Sequence, residues 1–319
     1  MRDLITEKVQ ICTGFSPPLW CRGGHRQTIF SSLFKASVDI GAERLRINTP
    51  DQDFLDIDFK ENKNSKRAAI LFHGLEGSSR RYYITHLAKV LFLNGYSTIA
   101  VNFRSCSGDM NRKPRFYHSG ETDDLETVIK WANESFPTHK LFAAGFSLGA
   151  STLFNFLRRH RTAHPIQAIA AISTPFDLKK DSLNLNNGLN RIYNYYFLKS
   201  LRKKIELKRK KFPDLPEFTG STLYEFDDQI TAPLHGFKDA DHYYESCSSA
   251  FFIDCIQSPV MIIHSRQDPL SPYHFCPVSD IIQNSNITNC FVENGGHVGF
   301  WSRQSNWLEN SVLSYFNEF

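Results

Sequence analysis

The segment from Lys140 to His160 constrains the fold of this chain more than any other. Its first part, Leu141–Phe146, is a short apolar run of the kind that forms a buried strand, and Ala150–His160 has apolar residues at helical spacing. Between them lies Gly145-Phe146-Ser147-Leu148-Gly149, which matches the pattern G-x-S-x-G. The segment therefore predicts a strand, a sharp turn with a serine at its tip, and a helix.

The glycines around Ser147 have a physical reason. A serine at the tip of such a turn needs strained backbone angles, and the close approach of strand and helix leaves no room for side chains two residues away on either side. The N-terminus of the following helix directs free N–H groups and the positive end of its dipole toward the serine. The pattern is typical of a serine nucleophile, which needs a base and an acid from elsewhere in the chain.

Other apolar runs predict the rest of a sheet. Residues 37–60 predict two antiparallel strands around the turn at 49–53, and later runs alternate with helical segments, which favours an α/β fold with parallel strands. The predicted parallel strands are Ala68–Phe72, Ser97–Phe103, Leu141–Phe146, Ile166–Ser173, Pro259–Ser265 and Asn289–Glu293, and the predicted helices are Tyr82–Asn94, Glu121–Glu134, Ala150–His160 and Ser305–Phe319.

We expect one domain spanning residues 1–319, with an arm and an insertion. Residues 1–36 mix turn formers with large apolar anchors and predict an irregular arm that wraps the domain. Residues from about 174 to 249 break the alternation of strand and helix, because they contain several helical stretches and no convincing strand. An insertion at this point lies over the carboxyl edge of the sheet, so it predicts a helical cap that shapes a substrate pocket.

Two residues near later strand ends suit the acid and the base of a triad. Asp268 stands just past a predicted strand and is followed by a proline. His297 follows Gly295-Gly296, which let the backbone turn sharply and expose the imidazole. The order serine, acid, histidine along the chain predicts a triad of Ser147, Asp268 and His297. The competing acids are Glu293 and Asp177.

A glycine loop follows the strand Ala68–Phe72 and has the sequence His73-Gly74-Leu75-Glu76-Gly77-Ser78. A buried parallel strand that ends in such a loop is the expected place for an oxyanion hole. The backbone N–H of Leu75 and that of Leu148, directly after the proposed nucleophile, are the predicted donors. We expect His73 to brace the loop.

Two further histidine-containing groups have a spacing that resembles functional sites. His118 and Asp123 form an H-x-x-x-x-D pattern, which some acyltransferases use as base and orienter, and the alternative is a loop-bracing and helix-capping role. A second group lacks cysteine or further carboxylate partners, so we predict no metal site there and no metal or organic cofactor for the protein. This second group consists of His235, Asp239, Asp241 and His242.

The segment 199–211 is rich in lysine and arginine, with apolar residues along one side. A solvated helix face is the first interpretation of this pattern. Peripheral contact with the anionic headgroups of a membrane is the alternative.

Composition and charge exclude several classes of protein. The chain has 319 residues, of which 41% are hydrophobic and 22% charged, and its formal net charge of +4 is too small to indicate a nucleic-acid partner. No run of about 18 apolar residues predicts a membrane-spanning helix. The N-terminus, MRDLITEKVQ, lacks the hydrophobic core of a signal peptide, and the seven cysteines form no C-x-x-C pair. We therefore expect a cytoplasmic protein.

Several segments of the chain resemble the YheT-like branch of the α/β-hydrolase superfamily, and the likeness runs from Gly23-Gly24-His25 to the last helix. The resemblance implies the α/β-hydrolase fold, with a mostly parallel central sheet, helices on both faces and a helical cap. It also implies serine carboxylesterase activity with a triad at Ser147, Asp268 and His297. The segments are HGLEGSSR (73–80), FRSCSGDMNR (103–112), YHSGETDDL (117–125), GFSLGA (145–150), EFDDQITAPLHGF (225–237) and GGHVGFW (295–301).

Motifs and resemblance together predict a serine hydrolase that cleaves carboxylic esters through an acyl-enzyme. The expected substrates are short- to medium-chain or lipid-like esters. Two alternatives stay open at this point. One is an acyltransferase that uses the same nucleophile with an alcohol in place of water, and the other is a non-catalytic binding protein that keeps the hydrolase fold.

Overall fold

The computed structural model describes residues 14–319, and these contain an eight-stranded sheet. The strands are β1 Glu43–Asn48, β2 Phe54–Lys60, β3 Arg67–Phe72, β4 Ser97–Asn102, β5 Lys140–Phe146, β6 Ile166–Ile172, β7 Val260–Ser265 and β8 Ile287–Val292. Their order across the sheet is β1-β2-β4-β3-β5-β6-β7-β8. Strand β2 pairs antiparallel with β1 and β4, and the remaining neighbours are parallel. The predicted mostly parallel sheet is confirmed.

Helices cover both faces of this sheet. They are α1 Gly24–Phe34, α2 Tyr82–Leu93, α3 Asp123–Ser135, α4 Leu148–His160, α5 Leu178–Asn184, α6 Arg191–Lys211, α7 Leu223–Phe226, α8 Ala232–Leu234, α9 Ala240–Cys247, α10 Val278–Gln283 and α11 Trp307–Phe316. A π-helical turn, Asp227–Thr231, joins α7 to α8. Across residues 14–319, none of the helices is both long and apolar enough to traverse a membrane.

The core lies in two layers, one on each side of the sheet. On one face, apolar side chains of α3 and α4 pack against the strands, and on the other face the contacts come from α2 and α11. Because both faces are covered, β4 and β7 are buried along their whole length. This burial explains why the parallel strands are continuous apolar runs in the sequence, without the alternation of a half-exposed strand.

The parallel strands bring separate parts of the chain to one edge of the sheet. This edge contains the carboxyl ends of strands β3, β5, β7 and β8, because parallel strands run in the same direction. The loops that follow these strands carry the glycine loop, Ser147, Asp268 and His297. Open α/β sheets bind their ligands at this edge.

The long connection between β6 and β7 contains helices α5 to α9. Residues 173–259 are all described and include no strand, as the sequence indicated. Leu198, Leu201 and Ile205 on α6 join the core that covers one face of the sheet. The connection is thus packed onto the domain beside the carboxyl edge.

The arm before β1 differs from the sequence expectation. Residues 1–13 of the predicted arm 1–36 lie outside the described part of the chain, but Gly24–Phe34 forms an α-helix where we predicted irregular structure. The buried side chain of Gln27 donates hydrogen bonds to the carbonyl oxygens of Cys21 and Trp301, at 2.9 and 3.0 Å. Tertiary contacts of this kind stabilise a helix whose glycine-rich start, taken alone, favours a turn.

Candidate active site

Ser147 stands at the turn between β5 and α4 with φ 53° and ψ −120°, a strained conformation for a residue other than glycine. A Cβ on Gly145 would lie 2.4 Å from the carbonyl oxygen of Gly149. A Cβ on Gly149 would lie 2.6 Å from the carbonyl oxygen of Phe72 on β3. Both glycines of the motif are therefore required by close backbone contacts, as the sequence pattern predicted.

His297 lies in the loop after β8, and its imidazole reaches Ser147. The distance from His297 Nε2 to Ser147 Oγ is 2.7 Å, so the serine hydroxyl can donate its proton to this nitrogen. The histidine backbone is tied to α1, because its N–H donates to Thr28 Oγ1 at 2.9 Å. A Cβ on Gly296 would lie 2.5 Å from the backbone nitrogen of Thr28, so only glycine fits between this loop and α1.

Asp268 holds the other side of the same imidazole. Its carboxylate oxygens lie 2.9 and 3.1 Å from His297 Nδ1, and one of them also accepts the backbone N–H groups of Leu270 and Ser271. The side chain is fully buried. Burial by itself raises the pKa of this carboxyl group, but the charge and hydrogen bond of His297 outweigh it, and the pKa lies below its ordinary value. Asp268 is therefore ionised beside the histidine.

The two competing acids take part in other contacts. Glu293 is largely exposed and pairs with Arg266 at 3.2 Å. Asp177 accepts the backbone N–H of Lys180 at 3.0 Å and caps the N-terminus of α5. The distances thus favour Asp268 as the partner of His297 among the three acids.

The glycine loop after β3 lies directly against Ser147. A Cβ on Gly74 would come within 3.1 Å of the Cβ of Ser147. Leu75 and Leu148 both line the cavity that contains Ser147, and the N–H of neither donates to an acceptor within residues 14–319. Two unpaired backbone donors beside a serine hydroxyl are the arrangement that stabilises an oxyanion.

His73 braces this loop from below. It is fully buried, and burial lowers its pKa to about 3, so the ring is neutral. Its Nδ1 lies 2.7 Å from the carbonyl oxygen of Gly74, while Nε2 accepts the backbone N–H of Phe103 at 3.2 Å. A neutral ring satisfies both contacts with Nδ1–H as the donor, which agrees with the bracing role that we expected.

A buried ion pair joins the glycine loop to the insertion. Lys204 on α6 lies 2.8 Å from a carboxylate oxygen of Glu76, whose side chain is almost entirely buried. The hydroxyl of Tyr117 donates to the same carboxylate at 3.0 Å, and that of Ser200 donates to its other oxygen. This pair was not predicted from the sequence, where an acidic residue in the glycine loop and a lysine in a basic helix do not indicate each other as partners.

The cavity beside Ser147 has a volume of about 110 Å³ and lies between the sheet edge and the insertion. Its wall is mostly apolar, with contributions from the glycine loop, the loop before α3, the π-helical turn and helices α5, α6, α7 and α9. The apolar lining residues include Leu75, Phe116, Leu148, Leu178, Leu185, Phe197, Leu201, Leu223, Phe226, Ile230 and Leu270. An apolar enclosure beside a serine hydroxyl suits the hydrocarbon part of an ester.

The pattern of His118 and Asp123 does not form a contact pair. The carboxylate of Asp123 is mostly exposed and binds Arg159 at 2.6 Å. His118 lies in the cavity wall, where its Nδ1 accepts the backbone N–H of Gly120 at 3.1 Å. Asp123 therefore does not orient the His118 ring, and His118 braces its own loop.

His118, Glu121 and His235 form a cluster whose candidate ligand atoms lie within 4.8 Å of one another. Two observations argue against a metal ion at this place. His118 Nδ1 accepts a backbone N–H, which leaves the proton of the neutral ring on Nε2, the nitrogen 3.9 Å from Glu121. The guanidinium of Arg115 already pairs with Glu121, so it places a positive charge at the carboxylate. Of the other group singled out in the sequence, Asp239 caps α9 and Asp241 pairs with Lys179.

The basic segment 199–211 lies within helix α6. Leu201 and Ile205 on its apolar side are buried, and the basic residues do not all face solvent as the first interpretation required. Lys208 is completely buried and donates to the carbonyl oxygen of Arg115, and Lys204 pairs with Glu76. The exposed basic residues of the helix are Arg191, Lys199, Lys203, Lys210 and Lys211.

Comparison with known proteins gives a family match and several relatives. A family model described as the alpha/beta hydrolase fold matches residues 69–304. YheT of Escherichia coli, a protein assigned as an esterase, is 32% identical over 92% of this chain and 90% of its own length. Phospholipase ABHD3 of Homo sapiens is 28% identical over 92% of this chain and 76% of its own length. A monoacylglycerol lipase of Saccharomyces cerevisiae is 27% identical over 80% of this chain and 60% of its own length.

Solved structures show the same fold at lower sequence identity. An esterase of Pyrococcus furiosus matches with a TM-score of 0.59 and 19% identity, over 87% of this chain and 91% of its own. An esterase of Exiguobacterium antarcticum matches with a TM-score of 0.57 and 13% identity, over 86% of this chain and 100% of its own. At these identities the likeness concerns the arrangement of sheet and helices.

Proposed function

The chain belongs to the α/β-hydrolase family, within its YheT-like branch, and is a carboxylic ester hydrolase; on this premise we propose that it cleaves esters through an acyl-enzyme on Ser147. The observation that carries the proposal is the continuous contact from Ser147 Oγ to His297 Nε2, at 2.7 Å, and from His297 Nδ1 to Asp268, at 2.9 Å. In this proposal His297 is the general base, and Asp268 keeps the imidazole in the required tautomer.

Acylation begins with attack of Ser147 Oγ on the ester carbonyl carbon. His297 Nε2 takes the hydroxyl proton as the bond forms, and the ionised carboxylate of Asp268 stabilises the resulting imidazolium. The carbonyl oxygen becomes an oxyanion, which accepts hydrogen bonds from the N–H groups of Leu75 and Leu148. When the tetrahedral intermediate collapses, the imidazolium donates its proton to the departing alcohol, and the acyl group stays on Ser147.

Deacylation repeats these steps with water. His297 removes a proton from a water molecule, which attacks the acyl carbonyl carbon, and the same two N–H groups stabilise the second oxyanion. The carboxylic acid leaves as the proton returns to Ser147 Oγ. His297 mediates every proton transfer of the proposed cycle, which therefore needs no metal and no organic cofactor.

The apolar lining of the cavity supports short- to medium-chain or lipid-like esters as substrates. Its lining is mostly apolar, which favours burial of a hydrocarbon group at about 0.8 kcal/mol for each CH₂. The E. coli relative is named as an esterase and the yeast relative as a monoacylglycerol lipase, and both names agree with ester substrates. Acyl transfer has no specific support, because Asp123 binds Arg159 rather than His118.

The test compares the wild-type protein with Ser147→Ala on p-nitrophenyl esters of two to twelve acyl carbons. We expect hydrolysis by the wild-type protein and a loss of at least about 10³-fold in the variant. Ser151→Ala, on the same helix, is the matched control, since the Ser151 hydroxyl donates to the carbonyl oxygen of Pro175 and not to His297. A fluorophosphonate should label the wild-type protein and not Ser147→Ala. Equal rates or equal labelling of the two proteins would contradict the proposed nucleophile.

We also propose peripheral contact of helix α6 with lipid headgroups. Ile192, Tyr195 and Tyr196 in its first turns are more than half exposed, and the exposed basic residues Lys199 and Lys203 follow on the same helix. Exposed apolar and aromatic residues next to basic ones favour an interfacial position on an anionic membrane.

Sedimentation with vesicles tests the membrane contact. Vesicles with anionic phosphatidylglycerol should bind the wild-type protein better than neutral vesicles, and Lys199→Glu with Lys203→Glu should reduce the binding. Lys238→Glu, a highly exposed lysine outside α6, is the control. Equal binding of all three proteins would exclude α6 as the contact.

The organisation into one domain, with an arm over residues 1–36 and a cap over residues from about 174 to 249, is part of the same proposal. The position of helices α5 to α9 between β6 and β7, beside the cavity, supports the cap. The cytoplasmic location stays a prediction.

A further inference from the structure

Two histidines in the wall of the Ser147 cavity have no part in the mechanism proposed above. His118 precedes helix α3, and His235 follows helix α8, so they come from different segments of the chain. Their ring centroids are 4.4 Å apart. They form a polar position in an otherwise mostly apolar enclosure, and unsatisfied polar groups at such positions call for a hydrogen-bonding ligand.

The tautomer of His118 follows from its surroundings. Burial, with a smaller contribution from Arg115, lowers the pKa of His118 to about 3, so the ring is neutral at physiological pH. Its Nδ1 accepts the backbone N–H of Gly120, which places the ring proton on Nε2. The nearest carboxylate oxygen, on Glu121, is 3.9 Å from Nε2 and beyond hydrogen-bond distance. His118 therefore offers an unpaired N–H donor.

His235 supplies the complementary capacity. Burial and the nearby His118 and Arg115 lower the pKa of His235 to about 2, so this ring is also neutral and has one donor and one acceptor nitrogen. No hydrogen bond from residues 14–319 reaches either of its ring nitrogens. One ring nitrogen of His118 and one of His235 lie within 4.8 Å of each other. One oxygen atom placed between them can be at about 2.9 Å from both.

We propose that His118 and His235 form a hydroxyl-binding subsite. The enzyme then prefers esters whose acyl or alcohol group carries a free hydroxyl that reaches these two histidines in the cavity. The hydroxyl oxygen accepts a hydrogen bond from the Nε2–H of His118. The hydroxyl group donates a hydrogen bond to the unprotonated ring nitrogen of His235. A neutral group fits better than an anion or a cation, because both rings are neutral and the neighbouring Arg115 and Glu121 already pair with each other. The inference rests on the proposed esterase function and names the substrate class of that site.

Two matched pairs of esters test the preference and distinguish its two sources. Glycerol 1-monobutyrate and propyl butyrate differ by hydroxyl groups on the alcohol side. Ethyl 6-hydroxyhexanoate and ethyl hexanoate differ by one hydroxyl group on the acyl side. In one of the pairs, kcat/KM should be about 10- to 100-fold higher for the hydroxylated ester, since a site with unpaired polar groups discriminates against the analogue that cannot satisfy them.

Two substitutions of His118 distinguish the roles of its two ring nitrogens. The terminal amide of asparagine lies near the position of Nδ1, so His118→Asn keeps the brace to Gly120 and removes the Nε2–H donor. The amide of glutamine reaches the position of Nε2, so His118→Gln keeps the donor. We expect His118→Asn and His235→Phe to bring the ratio of the two kcat/KM values to within about twofold of one, and His118→Gln to retain most of it. His242→Asn is the matched control, because His242 Nδ1 also accepts a backbone N–H, from Lys238 at 3.1 Å, outside the cavity.

Binding to Ser147→Ala keeps this test independent of catalysis. Calorimetric titration of the variant with each intact ester should show the same preference for the hydroxylated member. Equal affinity and equal kcat/KM within both pairs would overturn the subsite, as would a preference that survives both His118→Asn and His235→Phe. If Ser147→Ala hydrolyses the esters like the wild-type protein, the proposed nucleophile is wrong, and the kcat/KM ratios alone decide the subsite.

Discussion

At the scale of single residues, the candidate chemistry depends on how Asp268 is buried. The carboxylate is removed from solvent, yet His297 and two backbone N–H groups surround it with favourable partners. These contacts hold its pKa low although burial raises it. A buried carboxylate in this state can compensate the positive charge that forms on His297 during the proposed proton transfer.

Asp268→Asn should lower kcat by about 10⁴-fold, because the amide cannot stabilise an imidazolium and favours the wrong tautomer of His297. Steady-state kinetics with a p-nitrophenyl ester measures the loss, and near-ultraviolet circular dichroism checks that the fold is intact. Glu293→Gln is the control, since Glu293 is exposed and pairs with Arg266. A larger loss in Glu293→Gln than in Asp268→Asn would reverse the assignment of the acid.

At the scale of elements, the packing of α4 against β3 and β5 is tight enough to specify glycine. A Cβ on Gly149 would lie 2.6 and 2.7 Å from the backbone carbonyl oxygens of Phe72 and His73, so rotation of a side chain cannot make room for it. The strained turn at Ser147 persists because these neighbours hold strand and helix in place.

Gly149→Ala should destabilise the protein by about 3 kcal/mol, because the new Cβ would lie 2.6 Å from a backbone oxygen and the helix must shift. Urea unfolding measures the change. Gly108→Ala is the comparison: its φ is +109°, but nothing lies within 4 Å of an added Cβ, so only backbone strain of about 1 kcal/mol is expected. Similar losses in both variants would contradict the steric explanation.

The ion pair between Lys204 and Glu76 also fixes one element relative to another. It connects α6 with the loop that provides the predicted oxyanion donor Leu75. Lys204→Met leaves the buried carboxylate of Glu76 without its cation, and we expect a loss of about 3 kcal/mol in the free energy of unfolding. Lys204→Met combined with Glu76→Gln should lose less, since no charge is then unpaired. The pair would be dispensable if the single variant unfolded at the wild-type urea concentration.

At the scale of the whole molecule, the insertion encloses ionisable groups at a cost in stability. Asp227, in the π-helical turn, lines the cavity, and burial raises its pKa to about 6 although Thr231 and Tyr244 donate hydrogen bonds to it. The folded protein thus binds this proton more tightly than the unfolded chain does. Stability from this group is present at low pH and is lost as the pH rises toward 6.

Asp227→Asn should therefore be more stable, relative to the wild-type protein, at pH 7 than at pH 4. The difference between the two free energies of unfolding should increase by about 2 kcal/mol over this range. Urea unfolding at both pH values measures it, with Asp254→Asn, an exposed aspartate, as the control. An increase of the same size in the control, or a decrease in Asp227→Asn, would contradict the effect of burial.

The sequence alone was enough to predict the sheet and the turn that carries Ser147. The parallel strands and the elbow at Ser147 could be predicted because continuous apolar runs and paired glycines reflect local requirements of a covered sheet and a tight turn. The contacts of Ser147 with His297, and of His297 with Asp268, lay where chain order indicated, and their catalytic roles stay a prediction.

Tertiary structure alone decided the features that depend on residues distant in the chain. The helix Gly24–Phe34 is stabilised by contacts with the last loop. Lys204 and Lys208 turn inward because the carboxylate of Glu76 and the carbonyl oxygen of Arg115, both distant in the chain, accept their hydrogen bonds. His118 and His235 meet only because the connection between β6 and β7 packs beside the loop that carries His118. A local sequence pattern reflects the backbone conformation and the burial of a residue. Its contact partner on another element depends on the tertiary fold and cannot be predicted from the local pattern.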